Sequence, residues 1–405
     1  MSRLWRTWSV LVLFALGTSL ITPLIPLYQE RLGFNDTVVT LFLGCYVLTL
    51  VPSMLSLGQL SDQIGRKRVL LAAVGALAVA QAVLTTEPDL AGLLICRAIQ
   101  GLATGAFFGT CTAFLVDAAA PPKRQFASTL GSMSIRFGLG SGPGIGGLIA
   151  QYADPDIRLS LPFRWHLVAL ALAVILIIGL PETVTDRSRR PLTLRLEVPR
   201  AERSVFWRVL VPSGMIFSLF DGVSLSLVPV FVVKTLHEHN YALVGAAGFL
   251  VLVSGAVSQL LAPTILPARA IAWGTIGASI TSVGIVAAAP TGSVVLALVS
   301  VSLTGAACGL VFKGGLDLCT QIAPLAERGK LISAYLVACY LGGFSLPLLA
   351  VGVLADLTSL TVALGALSLA AGAASIWTLT VGMKSLQGLA PARAEGCEIT
   401  AVEAM

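Results

Sequence analysis

The chain has 405 residues, 56% hydrophobic and 11% charged, with a formal charge of +6 and a mean hydropathy of +0.90. Soluble domains carry about 25% charged residues, so this composition excludes a water-soluble body and leaves most of the surface facing lipid. A crossing helix needs ~20 mainly apolar residues, so the length holds about a dozen of them and no large soluble domain.

Apolar runs separated by short polar breaks predict twelve spans, at about 7–29, 37–58, 68–86, 89–116, 125–151, 161–181, 206–233, 241–262, 270–289, 293–318, 330–355 and 359–383. The runs are too long, and alternate too little, for barrel strands. The first run lacks a small-residue cleavage site and reads as a retained helix rather than a signal. Basic residues cluster in alternate loops: Arg3 and Arg6, Arg66 to Arg68, Lys123 and Arg124, the arginines from Arg187 to Arg208, Arg269, Arg328 and Lys330, Lys384 and Arg393. The intervening loops hold Arg31, Arg158, Arg164 and Lys234. The positive-inside rule therefore predicts an even number of spans with both termini cytoplasmic, and it assigns the basic residues to topology and lipid headgroups rather than nucleic acid. The seven cysteines form no CxxC pair, and His237-Glu238-His239 fits a membrane-face loop as well as a metal site. No metal site, disulfide framework or cofactor is expected.

The polar stretch 183–204 divides the chain into an N-terminal bundle at 1–182 and a C-terminal bundle at 205–384, followed by a tail at 385–405. An internal repeat supports the division. Residues 14–28 resemble 217–231 at a shift of 203, and at 204 Gly101, Gly105, Arg124, Gly138 and Pro143 fall on Gly305, Gly309, Arg328, Gly342 and Pro347. Duplicated halves recur among secondary transporters, with sites at the mid-membrane interface. Channels and membrane enzymes are also duplicated.

After span 2 stands Gly58-Gln-Leu-Ser-Asp62-Gln-Ile-Gly65-Arg66-Lys67-Arg68. Gly58 permits close helix approach and Gly65 a tight turn. Asp62 can accept from Arg66 and from the next helix's first amides. The run resembles the loop signature of the major facilitator superfamily. That resemblance implies twelve helices in two pseudo-symmetric six-helix bundles, alternating access, and a cytoplasmic gate that includes Asp117 at the end of span 4. Charge placed for topology alone is the rival reading.

Span 5 carries Gly138, Gly142, Pro143, Gly146 and Gly147, which look like the motif of the superfamily's drug:proton antiporter branch. On a helical wheel Gly138, Gly142 and Gly146 fall within about 80° of one another, a smooth stripe that in the family meets span 8. Generic small-residue packing is the alternative.

An ionisable residue inside a span is a functional hypothesis by default, and Arg97, Arg136, Asp221 and Lys313 qualify. Arg97-Ala-Ile-Gln100-Gly101 resembles the family's span-4 motif, linked there to proton coupling; a structural arginine holding carbonyls of a bent neighbour is the rival. Arg136, at about 160° on the span-5 wheel, points to the cavity or to span 1. Asp221 is the candidate proton site, or else a static partner of Lys313 or Arg136. Lys313 and Asp317 can pair at i, i+4. Phe107, Phe108, Phe217, Phe220, Tyr335, Tyr340 and Phe344 line the cavity or pack the core.

The resemblance implies proton-coupled efflux of small amphipathic molecules by a monomer, with substrate, protons and lipids as partners. A sugar or metabolite transporter of the same fold is the alternative, and few polar cavity side chains argue against sugars. No cluster of nucleophiles or acids points to an enzyme, and no Walker loop points to ATP drive.

Overall fold

A computed structural model describes residues 3–120, 123–184, 198–324, 327–382 and 384. Among these residues, eleven helices are long and apolar enough to cross a membrane. They are α1 (Arg3–Leu32), α2 (Asp36–Ile64), α3 (Arg66–Leu84), α4 (Leu90–Ala118), α6 (Leu161–Ile178), α7 (Arg203–Lys234), α8 (Tyr241–Leu261), α9 (Pro267–Thr291), α10 (Val294–Ile322), α11 (Arg328–Leu357) and α12 (Leu360–Gly382). Between α4 and α6 lies α5 (Arg124–Tyr152), 29 residues long. At ~1.5 Å per residue it spans the hydrocarbon, but its glycines, serines and Arg136 lower its hydropathy. With α5 there are twelve, as the apolar runs predict. The linker 183–204 lies largely outside the described residues, and the tail 385–405 wholly outside.

Helix ends and breaks follow from backbone chemistry. Lipid offers amides no partner, and five helices that start at the less basic face carry side-chain caps: Asn35 for α2, Asp89 for α4, Asn240 for α8, Ser293 for α10 and Ser359 for α12. The α1 segment breaks after Ser19 and passes through a 3-10 turn at Thr22–Leu24. Pro23 and Pro26 remove the amides that would serve the carbonyls of Ser19 and Thr22. In α11 the break falls between Gly343 and Leu346, with Pro347 in the first turn of the restart.

The repeated glycines perform one packing job twice. A Cβ on Gly101 would overlap the Tyr46 carbonyl of α2, and one on Gly105 the Leu50 carbonyl. Gly305 and Gly309 meet the Val251 and Gly255 carbonyls of α8 in the same way. Between the halves, α5 runs along α8 and α11 along α2.

Replacing Gly101 by Ala is expected to destabilise the protein by about 1–3 kcal/mol, because backbone cannot yield to an added methyl. Gly75, on the exposed face of α3 with nothing near its Cβ position, tolerates Ala or gains up to ~1 kcal/mol from helix propensity. Thermal unfolding of the two purified variants in one detergent checks both.

Candidate functional site

Arg136 on α5 and Asp221 on α7 meet between the two halves. Arg136 Nη2 donates to Asp221 Oδ2 at 3.1 Å, with side-chain exposures of 10% and 5%. The guanidinium lies 5.3 Å from the centre of the Phe217 ring and 6.0 Å from that of Phe312. Those rings stack at 4.8 Å, and Phe312 continues to Tyr335 at 6.5 Å. Asp221 Oδ1 and Arg136 Nε are buried without a hydrogen-bond partner. One carboxylate thus holds a charge-assisted bond on one oxygen and is open on the other.

The wheel of α5 explains how Arg136 gets there. Gly138, Gly142 and Gly146 face α1: Cβ atoms there would meet Ala15, the Leu16 carbonyl and the Leu20 carbonyl. This corrects the expectation that the stripe meets span 8. Arg136, Gly140, Pro143, Gly144 and Gly147, spread over about 100° on the opposite side, face α8 instead. Gly140 lies against Leu252 and Val253, Gly144 against Phe249, and Gly147 against the Tyr241 carbonyl. Pro143 packs on Gly248. Gly255 of α8 leaves room for the arginine, since a Cβ there would stand 2.7 Å from Arg136 Nη2.

Arg97 does not join this pair. Its Nη1 donates to the Thr18 carbonyl at 2.8 Å and to Gln100 Oε1 at 2.9 Å, and its guanidinium sits over Tyr46. Neighbouring helices grip the same stretch of α1. Gln81 Nε2 donates to the Gly17 carbonyl at 2.9 Å, His166 Nε2 lies 2.9 Å from the Leu13 carbonyl, and Ser19 Oγ donates to the Leu139 carbonyl. Arg97 therefore holds one carbonyl of a broken neighbour. The His166 ring fills the notch left by Gly17; sequence reasoning had passed over His166 and Gln81. Lys313 bonds Asp317 at 2.5 Å within α10, which leaves Arg136 as the basic partner of Asp221. Among the aromatics, Phe107 stacks on Phe14 in the N-terminal core and Tyr340 on Phe344. Phe312, which the sequence reading had missed, joins the central cluster.

At the basic face, Gly65 takes φ +104° between α2 and α3. Arg66 bonds Asp117 and reaches Asp62 at 3.4 Å. The first amides of α3 do not go to Asp62, as the spacing had allowed. Arg66 N and Lys67 N donate to the two oxygens of Glu182 at 3.1 and 3.2 Å, and Thr183 N and Val184 N donate to it as well. Lys67 Nζ donates to the Ile178 and Leu180 carbonyls. Arg68 is exposed, and Gly58 lies within α2. Among the described residues, no group of three His, Cys, Asp or Glu side chains could hold a metal.

Twelve helices, a glycine-paved α5 and an acid–base turn after α2 meet in one molecule, and residues 7–347 match the sequence profile of the Major Facilitator Superfamily. The chain belongs to that superfamily. It is a multi-pass integral membrane protein. Among curated relatives it is 26% identical over 235 residues to the quinolone resistance protein NorA of Staphylococcus aureus (strain MRSA252), covering 57% of this chain and 58% of NorA. It is 24% identical over 266 residues to multidrug resistance protein 1 of Bacillus subtilis (strain 168), covering 64% of each. The matched part is thus less than two thirds of the length of these relatives. A bacterial homolog of the human lysosomal transporter Spinster shares the fold, with a TM-score of 0.73, 16% identity and coverage of 95% of this chain and 97% of that one. So does a POT family transporter, with a TM-score of 0.78, 14% identity and coverage of 94% and 96%.

Burial alone would raise the Glu182 carboxyl, but its four amide donors outweigh that and hold it below the ordinary glutamate value. Its contribution is therefore fully present above the unfolded-state pKa, about 4.3, and is lost as pH falls through the lowered folded value. Glu182→Gln is expected to cost about 1 kcal/mol at pH 7, the usual worth of a cap. The gap from wild type closes as the pH is taken below about 4. Melting curves of both proteins between pH 3.5 and 7.5 check it.

Proposed function

We propose that this superfamily member is a proton-coupled exporter of small amphipathic molecules, working by alternating access between bundles at 1–182 and 205–384. The observation that carries this reading is the Arg136–Asp221 bond, the buried ion pair that ties α5 of one half to α7 of the other. Three cations compete for one carboxylate: the Arg136 guanidinium, a proton, and an organic cation seated among Phe217, Phe312 and Tyr335. Removing one partner from a buried pair costs about 3–5 kcal/mol. Neutralising Asp221 therefore loosens the tie between the halves, and that coupling is what an exchanger needs. Arg97, by this reading, keeps the broken α1 in shape beside the pathway. The Asp62, Arg66 and Asp117 cluster, with Gly58, Gly65 and Arg68, forms the gate at the basic face.

The distribution of Lys and Arg supports placing that face, with both termini, in the cytoplasm. The low-identity relatives named for quinolone and multidrug resistance support export from a bacterial plasma membrane, and the apolar aromatic lining supports amphipathic cargo. An inward proton gains ~2.3 kcal/mol per 100 mV, enough per step to bias a loosened pair.

In proteoliposomes an imposed pH gradient is expected to drive flux of a lipophilic cation dye by the wild type. Asp221→Asn should reduce that flux to the protein-free background and weaken binding of the dye. The reading fails if a pH jump moves no dye and the Asn variant transports as the wild type does. In an efflux-deficient host, toxicity panels of the same two proteins select the cargo.

A further inference from the structure

The face opposite the basic loops is closed by two joints of the same design. Asn35 caps α2 through Val38 N, which leaves the amides of Asp36 and Thr37. Both are taken by Asp356, at the end of α11 in the other half. Oδ1 accepts from Asp36 N at 2.8 Å and Oδ2 from Thr37 N at 2.9 Å, and the Thr37 hydroxyl donates to Oδ2 as well. Asn240 caps α8 through Ala242 N, and the remaining Tyr241 N donates at 2.7 Å to Gln151 Oε1, at the end of α5 in the first half.

A shift of 205 superposes the joints. Asn35 falls on Asn240, Asp36 on Tyr241, Gln151 on Asp356 and Gly147 on Gly352. Both glycines do one job. A Cβ on Gly352 would crowd Thr40 and stand 3.0 Å from the Asp36 carbonyl, and one on Gly147 would overlap the Tyr241 carbonyl. In each joint a glycine lets two helices touch, and four residues later, on the same helix face, a side-chain oxygen caps the partner's first turn. Lys234 Nζ, from α7, reaches Asp36 Oδ1 at 3.0 Å, and Gln29 Nε2 reaches the same oxygen at 2.7 Å. That neutralises Asp36 beside the incoming Asp356.

We infer that Asp356 and Gln151 are the paired latch residues of this mouth. Each half caps a helix of the other, so the mouth opens only when both caps leave their amides. The charged Asp356 cap is the stronger of the two. Neither cap touches the central pair, and the latch holds whatever the cargo and whether or not protons drive the cycle. The α11 face that carries Asp356 continues inward through Gly352 and Leu348 to Gly222, the neighbour of Asp221, where Phe344 and Leu348 close on the position of a Cβ.

The test measures distance in the full chain in nanodiscs. Spin labels sit on cysteines introduced at Thr86 (α3–α4 loop) and Thr291 (end of α9), with the native cysteines replaced. Pulsed dipolar spectroscopy then reads the ratio of open to closed mouths without any substrate. Asp356→Ala and Gln151→Leu are each expected to raise that ratio by about five- to tenfold, the usual effect of losing a cap. The double variant should move it furthest. Asp356→Asn, which keeps the shape and one acceptor, should shift it in the same direction by less. If Asp356→Ala does not fold, the Asn and Gln151→Leu proteins carry the comparison. A double variant with the wild-type distance distribution overturns the inference, as does a lowered melting temperature with an unmoved ratio.

Discussion

Hydrocarbon offers no hydrogen bonds, so each broken helix turn and each buried charge must find its partner within the protein or cost several kcal/mol. Much of the unusual chemistry in this chain answers that demand. Pro23 and Pro26 break α1, and side chains from α3, α4 and α6 converge on the carbonyls just before the break. Arg97 is one of these. A guanidinium is suited to the task because it keeps its charge and presents several donors in a rigid fork. The same demand makes the Arg136–Asp221 bond consequential. Both charges are buried, so each depends on the other, and the two halves are joined in the middle by that one bond.

The second constraint is steric, and it falls on α5. This helix must lie against α1 within its own half and against α8 in the other, both at backbone distance. It does so with glycine on two sides. Gly138, Gly142 and Gly146 serve the intra-bundle contact, and Gly140, Gly144 and Gly147 the contact between bundles. The motif that looks like a single stripe is therefore half of a two-sided spacer, and Arg136 occupies the inter-bundle side among the second set. A helix so poor in side chains can lie at backbone distance from two neighbours at once.

The twelve spans, the halves and the special charges were legible in the sequence because each follows from a local rule of apolar length, loop charge or wheel angle. Pairings across long separations were not. Glu182 caps α3 from 116 residues away, and a lone Glu after a proline carries no sign of its target. Asp62, at the expected place for that role, turns to Arg66 instead, because the α3 amides are already taken. His166 was hidden for a different reason: an imidazole in an apolar run reads as core, and only the notch at Gly17 reveals what it fills. Phe312 is one apolar residue in an apolar span, and the Phe217 and Arg136 side chains it meets lie far from it in the sequence.

Symmetry and its loss divide the labour. At several close approaches and caps the halves still agree: Gly101 with Gly305, Gly105 with Gly309, Gly147 with Gly352, Asn35 with Asn240. Where charge is handled they differ. In the repeat register Thr18 stands over Asp221, Arg97 over Val301 and Arg136 over Tyr340. The turn after α2 with its Asp62 and Arg66 faces only Arg269 in the second half. A repeated scaffold whose close approaches leave no room for a side chain loses stability when those glycines change. Charges obey no such rule, and one copy of each suffices. A symmetric pair of mid-membrane acids would repel when both were ionised, and it would double the desolvation cost. A single acid on one half facing a single base on the other gives the central bond a direction, which two identical halves alone do not supply.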